Sequence, residues 1–238
     1  MSANIVVVSG SGRYADPWHP LAETSARVAD VLSSAGHTVT VDDAVDARLA
    51  SLASAAHDDV ELLVLNVGAG RTPDERAVLE SSDDRAETPL SAEDAATAHG
   101  LLSYLERGGA LLALHVSATT FGFMPEWEYV LGGIWVRGTS MHPPYSKARV
   151  HVATDAHSIV AGIPDFDVDD ERYSKLRVSP RSQQLAWHDI DGVRHPLVWT
   201  HEYRGARIVY DALGHDAGSY DSHEHRTILL NSTAWLLG

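Results

Sequence analysis

Two short apolar runs of this chain each end on a histidine: residues 110–114 lead into His115, and residues 207–214 lead into His215. An imidazole can move a proton near neutral pH, donate a hydrogen bond to a ligand oxygen, or bind a metal ion. Fourteen of the 238 residues are histidine and none is cysteine. Thiol nucleophiles, thiolate metal sites and disulfides are therefore excluded, and chemistry falls to imidazole, carboxylate, hydroxyl or a bound metal. His142 is a further candidate, because Pro143 and Pro144 fix the backbone that follows it. Glu171 ends an acidic run, Asp169-Asp170-Glu171, close to Tyr173. A carboxylate aimed inward beside imidazoles is a base or a metal ligand; pointing outward, it is a solvated charge.

These residues need elements that aim them. Apolar runs starting after Gly-Gly or Gly-Ala read as buried strands of a largely parallel sheet, whose carboxyl ends are where ligands bind. The stretch 108–118 has the layout of a nucleophile elbow, with His115 at its tip and Ser117 two residues on. Strands are expected at 4–9, 37–41 and 60–67, with helices over 21–35 and 44–55 between them. Ser91 caps a helix running to about residue 107, where Gly108-Gly109 ends it. Residues 70–89 are polar and read as a long loop, a candidate lid. Later strands are expected at 147–153, 184–187, 196–201 and 206–212, a loop over 165–173, and a last helix over 223–237. Gly214 lets the backbone pass close to a ligand, and Asp216 is placed to orient an imidazole. Trp199 offers either a flat wall for a sugar ring or a core side chain.

A chain of 238 residues suits one large α/β domain, here 1–238. The formal charge of −15 argues against nucleic acid and anionic lipid as partners. No basic segment precedes an apolar signal core, and no run approaches the ~20 apolar residues that cross a bilayer. The expectation is a soluble cytoplasmic protein, for which assembly into a homo-oligomer is compatible.

The order of motifs carries a resemblance. Gly-Gly-x-Leu-Leu-x-Leu-His115 is followed by Gly-Gly…His142-Pro, His157-Ser-Ile-Val-x-Gly-Ile-Pro, Asp170-Glu171-x-Tyr173, Pro196…Trp199 and Arg207-Ile-Val-Tyr-x-Ala-Leu-Gly-His215-Asp. Across nearly its whole length the chain resembles the ThuA-like (trehalose utilisation) family of the class I glutamine amidotransferase-like superfamily. The resemblance implies a flavodoxin-like three-layer α/β/α sandwich with a mostly parallel central sheet. It also implies that His115 stands where true glutamine amidotransferases carry cysteine, so their glutaminase chemistry is not inherited. It implies a place in bacterial catabolism of disaccharides and their keto derivatives, with His115, His142, Glu171 and His215 facing the pocket as catalytic residues. Tyr173, Trp199 and Ser117 are the expected substrate-binding residues.

Two classes of function follow. One is an enzyme that moves a proton next to a sugar carbonyl, leading to isomerisation, elimination or hydrolysis, with or without a metal. Three histidines and a carboxylate suit a divalent ion such as zinc, with His115, His142 and His215 as the expected ligands. The other is a carbohydrate-binding or regulatory protein that kept the fold without the chemistry. An amidotransferase working through Ser117 lacks a Ser-His-acid arrangement.

Overall fold

Residues 62–66 and 110–114 are buried along their whole length, and 5–9 likewise, so both faces of these strands must be covered. The computed structural model describes residues 2–54, 59–69 and 90–238. In chain order the elements are β1 (Asn4–Ser9), α1 (Leu21–Ser34), β2 (Thr38–Asp42), α2 (Val45–Ser51), β3 (Leu62–Asn66), α3 (Ala92–Glu106) and β4 (Ala110–Leu114). They continue with α4 (Trp127–Leu131), β5 (Gly133–Ile134), β6 (Ser146–Val152), β7 (Phe166–Asp170) and β8 (Arg177–Val178). The chain closes with β9 (Gln183–Ile190), β10 (Val193–Tyr203), β11 (Ala206–Asp211) and α5 (His223–Leu237). The expected loop at 70–89 lies outside the described residues, as does the last residue of the helix expected over 44–55.

Among the described residues, nine strands form one sheet in the order β2-β1-β3-β4-β11-β10-β9-β6-β7. The first five are parallel; the outer four alternate in direction. Helices flank this mostly parallel centre, an α/β arrangement of the flavodoxin-like kind. Ser91 caps α3 as its sequence predicts, accepting the Asp94 N–H at 3.0 Å. Among the described residues no helix is long and apolar enough to cross a membrane.

Two expectations are corrected here. Residues 166–170 form a strand, not a loop: Phe166, Val168 and Asp170 are buried while Asp167 and Asp169 are exposed. The period-two pattern was hidden by acids on the solvent face. Trp199 is a core residue and does not wall the pocket. It is fully buried, its indole N–H donates to the Leu131 carbonyl at 2.8 Å, and its ring lies 4.3 Å from that of Tyr210.

The contact between α2 and α3 depends on Gly100. A Cβ built there would lie 1.9 Å from the Leu49 carbonyl oxygen, which is backbone and cannot swing aside. Gly100→Ala is therefore expected to destabilise the protein by about 2–3 kcal/mol despite alanine's better helix propensity. Urea denaturation measures the loss.

Candidate functional site

Strand direction sets which residues can meet. Four antiparallel pairings separate β11 from β7, so an even number of reversals leaves β7 pointing the same way as β11 and β4. Their carboxyl ends, and that of β1, share one edge of the sheet. A flat sheet would still hold β7 about 19 Å from β11, at ~4.8 Å per strand. The outer strands instead curl back, helped by register shifts in β10 between Pro196 and Trp199. Asp170 fastens the closure. Its buried carboxylate accepts the N–H groups of Gly214 (2.8 Å), His215 (3.1 Å) and Glu171 (2.8 Å), and the Ser219 hydroxyl. The end of β7 is thereby tied to the loop after β11, bringing Glu171 to His215.

The elbow after β4 behaves as its sequence suggests. His115 has φ +35, a left-handed conformation that a non-glycine residue holds at a cost of about 1–3 kcal/mol. Surrounding bonds hold it: the Tyr210 hydroxyl donates to the His115 carbonyl at 2.7 Å, and Trp127 donates to that of Ser117 at 2.9 Å. Ser117 is corrected as a pocket residue. Its fully buried hydroxyl donates to Leu65 O at 2.9 Å and accepts Val67 N–H at 3.3 Å, which joins the elbow to β3 and leaves no proton to donate to a ligand.

Four side chains converge at this edge. Glu171 Oε2 lies 3.2 Å from His215 Nδ1, 3.6 Å from His115 Nε2 and 3.6 Å from His19 Nε2. The last two nitrogens are 3.1 Å apart. One ligand atom from each of these four residues lies within 4.8 Å of the others, the set able to hold a metal ion among the described residues. His142 is not in that set, which corrects the expected ligands. It stands at the rim, 38% exposed, with Nδ1 3.0 Å from the Pro143 carbonyl and 3.5 Å from Glu171 Oε1. Tyr173 is buried beside the cluster: its ring lies 4.3 Å from that of His115 and 4.8 Å from that of Trp135.

His19 was not anticipated. It follows β1 in the sequence Trp18-His19-Pro20, the same His-Pro pairing that draws attention to His142. Asp16 Oδ1 accepts the Trp18 N–H at 3.0 Å, a local turn that sets the carboxylate 3.1 Å from His19 Nδ1. His115 is oriented similarly, with Nδ1 2.6 Å from the Ala212 carbonyl. A carbonyl can only accept, so Nδ1 carries the proton, and the Nε2 lone pair accepts from the His19 Nε2–H 3.1 Å away.

The electrostatics follow. Burial opposes ionisation of Glu171, but His115, His19 and His215 outweigh it and hold the carboxyl far below its usual range. Burial likewise opposes charge on His19, yet Asp16 and Glu171 raise its pKa to about 9. His115 moves the other way: burial lowers it, and Glu171 offsets only part. The site therefore combines a fixed anion, a cationic imidazole and a neutral one.

The extent of one match decides the family: the family model described as "ThuA: Trehalose utilisation" matches residues 4–236. The chain belongs to the ThuA family. Membership implies a role in trehalose utilisation. A ThuA-like protein from Parabacteroides merdae is similar in structure at a TM-score of 0.73 and 17% identity, over 100% of this chain and 90% of that one. Another from Bacteroides uniformis gives 0.72 and 14%, over 98% and 91%. A GMP synthase protein from Thermoplasma acidophilum is more distant, at 0.53 and 16%, over 99% and 96%, and shares the amidotransferase-like fold. No curated protein matches the chain in sequence.

Behind this ThuA site, His188 supports Tyr173. Its Nε2 is 3.1 Å from the Tyr173 carbonyl, while its buried Nδ1 has no hydrogen-bond partner. Burial lowers its pKa to about 4. As pH falls below 6.5 the unfolded chain takes this proton first, so stability drops until pH reaches about 4. His188→Gln keeps a donor for Tyr173 and does not titrate. It is expected to remove roughly 2 kcal/mol of the acid-induced loss, read from urea midpoints across that range.

Proposed function

We propose that this ThuA protein is an enzyme of sugar catabolism that acts on a disaccharide-derived keto sugar by proton transfer beside the carbonyl. The convergence of Glu171, His115, His19 and His215, with His142 at the exposed rim, is the observation that supports this reading. A carbonyl acidifies the neighbouring C–H bond. His142, within reach of solvent and steadied by Glu171 Oε1, takes that proton. The C–H electron pair becomes a C=C bond, and the carbonyl electrons move to oxygen. The cationic His19 edge stabilises the resulting enolate. Return of that proton to the former carbonyl carbon, with the hydroxyl proton of the adjacent carbon passing to the enolate oxygen, gives an isomer; departure of the glycosidic oxygen as an alcohol, carrying the proton held by His142, re-forms the C=O bond conjugated to a new C=C bond and completes an elimination. Tyr173 forms an apolar wall for the ring. The partner is a small-molecule sugar, and the setting we propose is the cytoplasm.

Incubation with a keto-glucoside in deuterium oxide tests this. Incorporation of deuterium beside the carbonyl is expected. Tight binding without exchange or turnover would replace the enzyme with a carbohydrate-binding protein, and hydrolysis of glutamine would replace it with an amidotransferase.

A further inference from the structure

We propose that His19, His115, His215 and Glu171 form a four-ligand centre for a first-row divalent cation, of which Zn²⁺ fits best. It deepens the reading of the same site but rests on separate geometry; loading the ion releases the His19 proton, so that edge of the site stays positively charged. Ligands about 2.0–2.1 Å from a tetrahedral ion stand roughly 3.3–3.4 Å from one another. Four of the six separations between these atoms are 3.1, 3.2, 3.6 and 3.6 Å. All the ligand atoms fall within 4.8 Å of each other, so the shell closes when the His215 ring moves inward by about 1 Å.

Unsatisfied atoms point the same way. His215 Nδ1 and Glu171 Oε2 are buried and 3.2 Å apart, yet neither has a hydrogen-bond partner. A buried polar atom left unpaired is costly, and an ion is one of the few things that explains it. Two groups at contact distance with no aligned proton between them have the relation expected of lone pairs directed at a third point. The outer atoms of the cluster fit as well. Metal-binding histidines are oriented through their other nitrogen by a carbonyl or carboxylate. His115 Nδ1 has Ala212 O at 2.6 Å, and His19 Nδ1 stands 3.1 Å from the Asp16 carboxylate as an ion pair rather than an aligned hydrogen bond. Three imidazoles and one carboxylate favour Zn²⁺ and its neighbours over Mg²⁺ or Ca²⁺, which demand oxygen ligands. The centre joins four separate segments, those following β1, β4, β7 and β11, so the ion also serves as a clasp at the sheet edge.

Metal analysis of full-length protein purified without a polyhistidine tag, followed by chelation and calorimetric titration with Zn²⁺, tests this. One ion per chain is expected, with a rise in Tm on reloading. Co²⁺ substituted for it should give the intense visible bands of a four-coordinate site. Glu171→Gln and His215→Ala should weaken Zn²⁺ binding by ~100-fold or more, whereas His142→Ala should leave it within a few-fold. Should a variant fail to fold, the chelated wild-type protein still decides the matter. No saturable uptake of Zn²⁺ or Co²⁺ would overturn the centre, and equal loss in His142→Ala would overturn the ligand set. Deuterium exchange by a protein that takes up neither Zn²⁺ nor Co²⁺ would leave the proton-transfer reading standing while this one falls; bound metal without exchange would do the reverse.

Discussion

Replacing Glu171 by Gln lowers deuterium exchange into a keto-glucoside by about a thousandfold while leaving the chain folded. Gln has nearly the same shape, so packing against Tyr173 and the imidazoles changes little. What disappears is the negative charge. Burial of that charge is offset by His115, His19 and His215, which together hold the carboxyl ionised. Without it, His19 retains only Asp16 as an acidic partner, and its pKa falls from about 9 toward its ordinary value. The oxyanion loses its cationic donor and His142 loses the carboxylate 3.5 Å from Nδ1. Both losses act on the same transition state, which is why the effect is large. A drop of less than tenfold would remove Glu171 from the reaction.

The second large effect is on the fold. Asp170→Asn is expected to destabilise the protein by about 3–5 kcal/mol. Its carboxylate is wholly buried and accepts from three backbone N–H groups and the Ser219 hydroxyl. An asparagine must turn an NH₂ toward at least one of those donors, leaving two hydrogens facing each other. Ser219 in turn meets His225 Nδ1 at 2.9 Å, and His225 Nε2 meets Asp211 at 3.1 Å, so the disturbance passes under the whole edge. Guanidinium titration reads the loss of stability. Since Asp170 positions both Glu171 and His215, the folded fraction should also exchange deuterium more slowly, with kcat falling more than KM rises.

Much of this was readable in the sequence because strand ends are local. His115 and His215 follow nearly continuous apolar runs that read as buried strands, and parallel strands put their carboxyl ends together. Glu171 was legible as the acid nearest Tyr173, although the strand before it was masked by alternating aspartates. His19 was not, since it lies in a loop whose place over the sheet is fixed by turns such as the Asp16–Trp18 bond. Nothing local separates a histidine so placed from a solvated one. Trp199 misled for the opposite reason: an aromatic near the end of a strand is a wall or a core residue according to which face it occupies, and four consecutive buried positions in β10 put it inside. The hydroxyl of Ser117 is spent on β3, a partner fifty-two residues away in the chain at Leu65, and such pairing is invisible to spacing.

Convergence of distant histidines on one carboxylate is the claim beneath all of this, and NMR of the imidazole nitrogens tests it most directly. In Glu171→Gln the ring resonances of His19, His115, His142 and His215 should move together, while those of His37 and His151, on other parts of the surface, stay in place. Movement of one ring alone, or of none, would contradict the shared site.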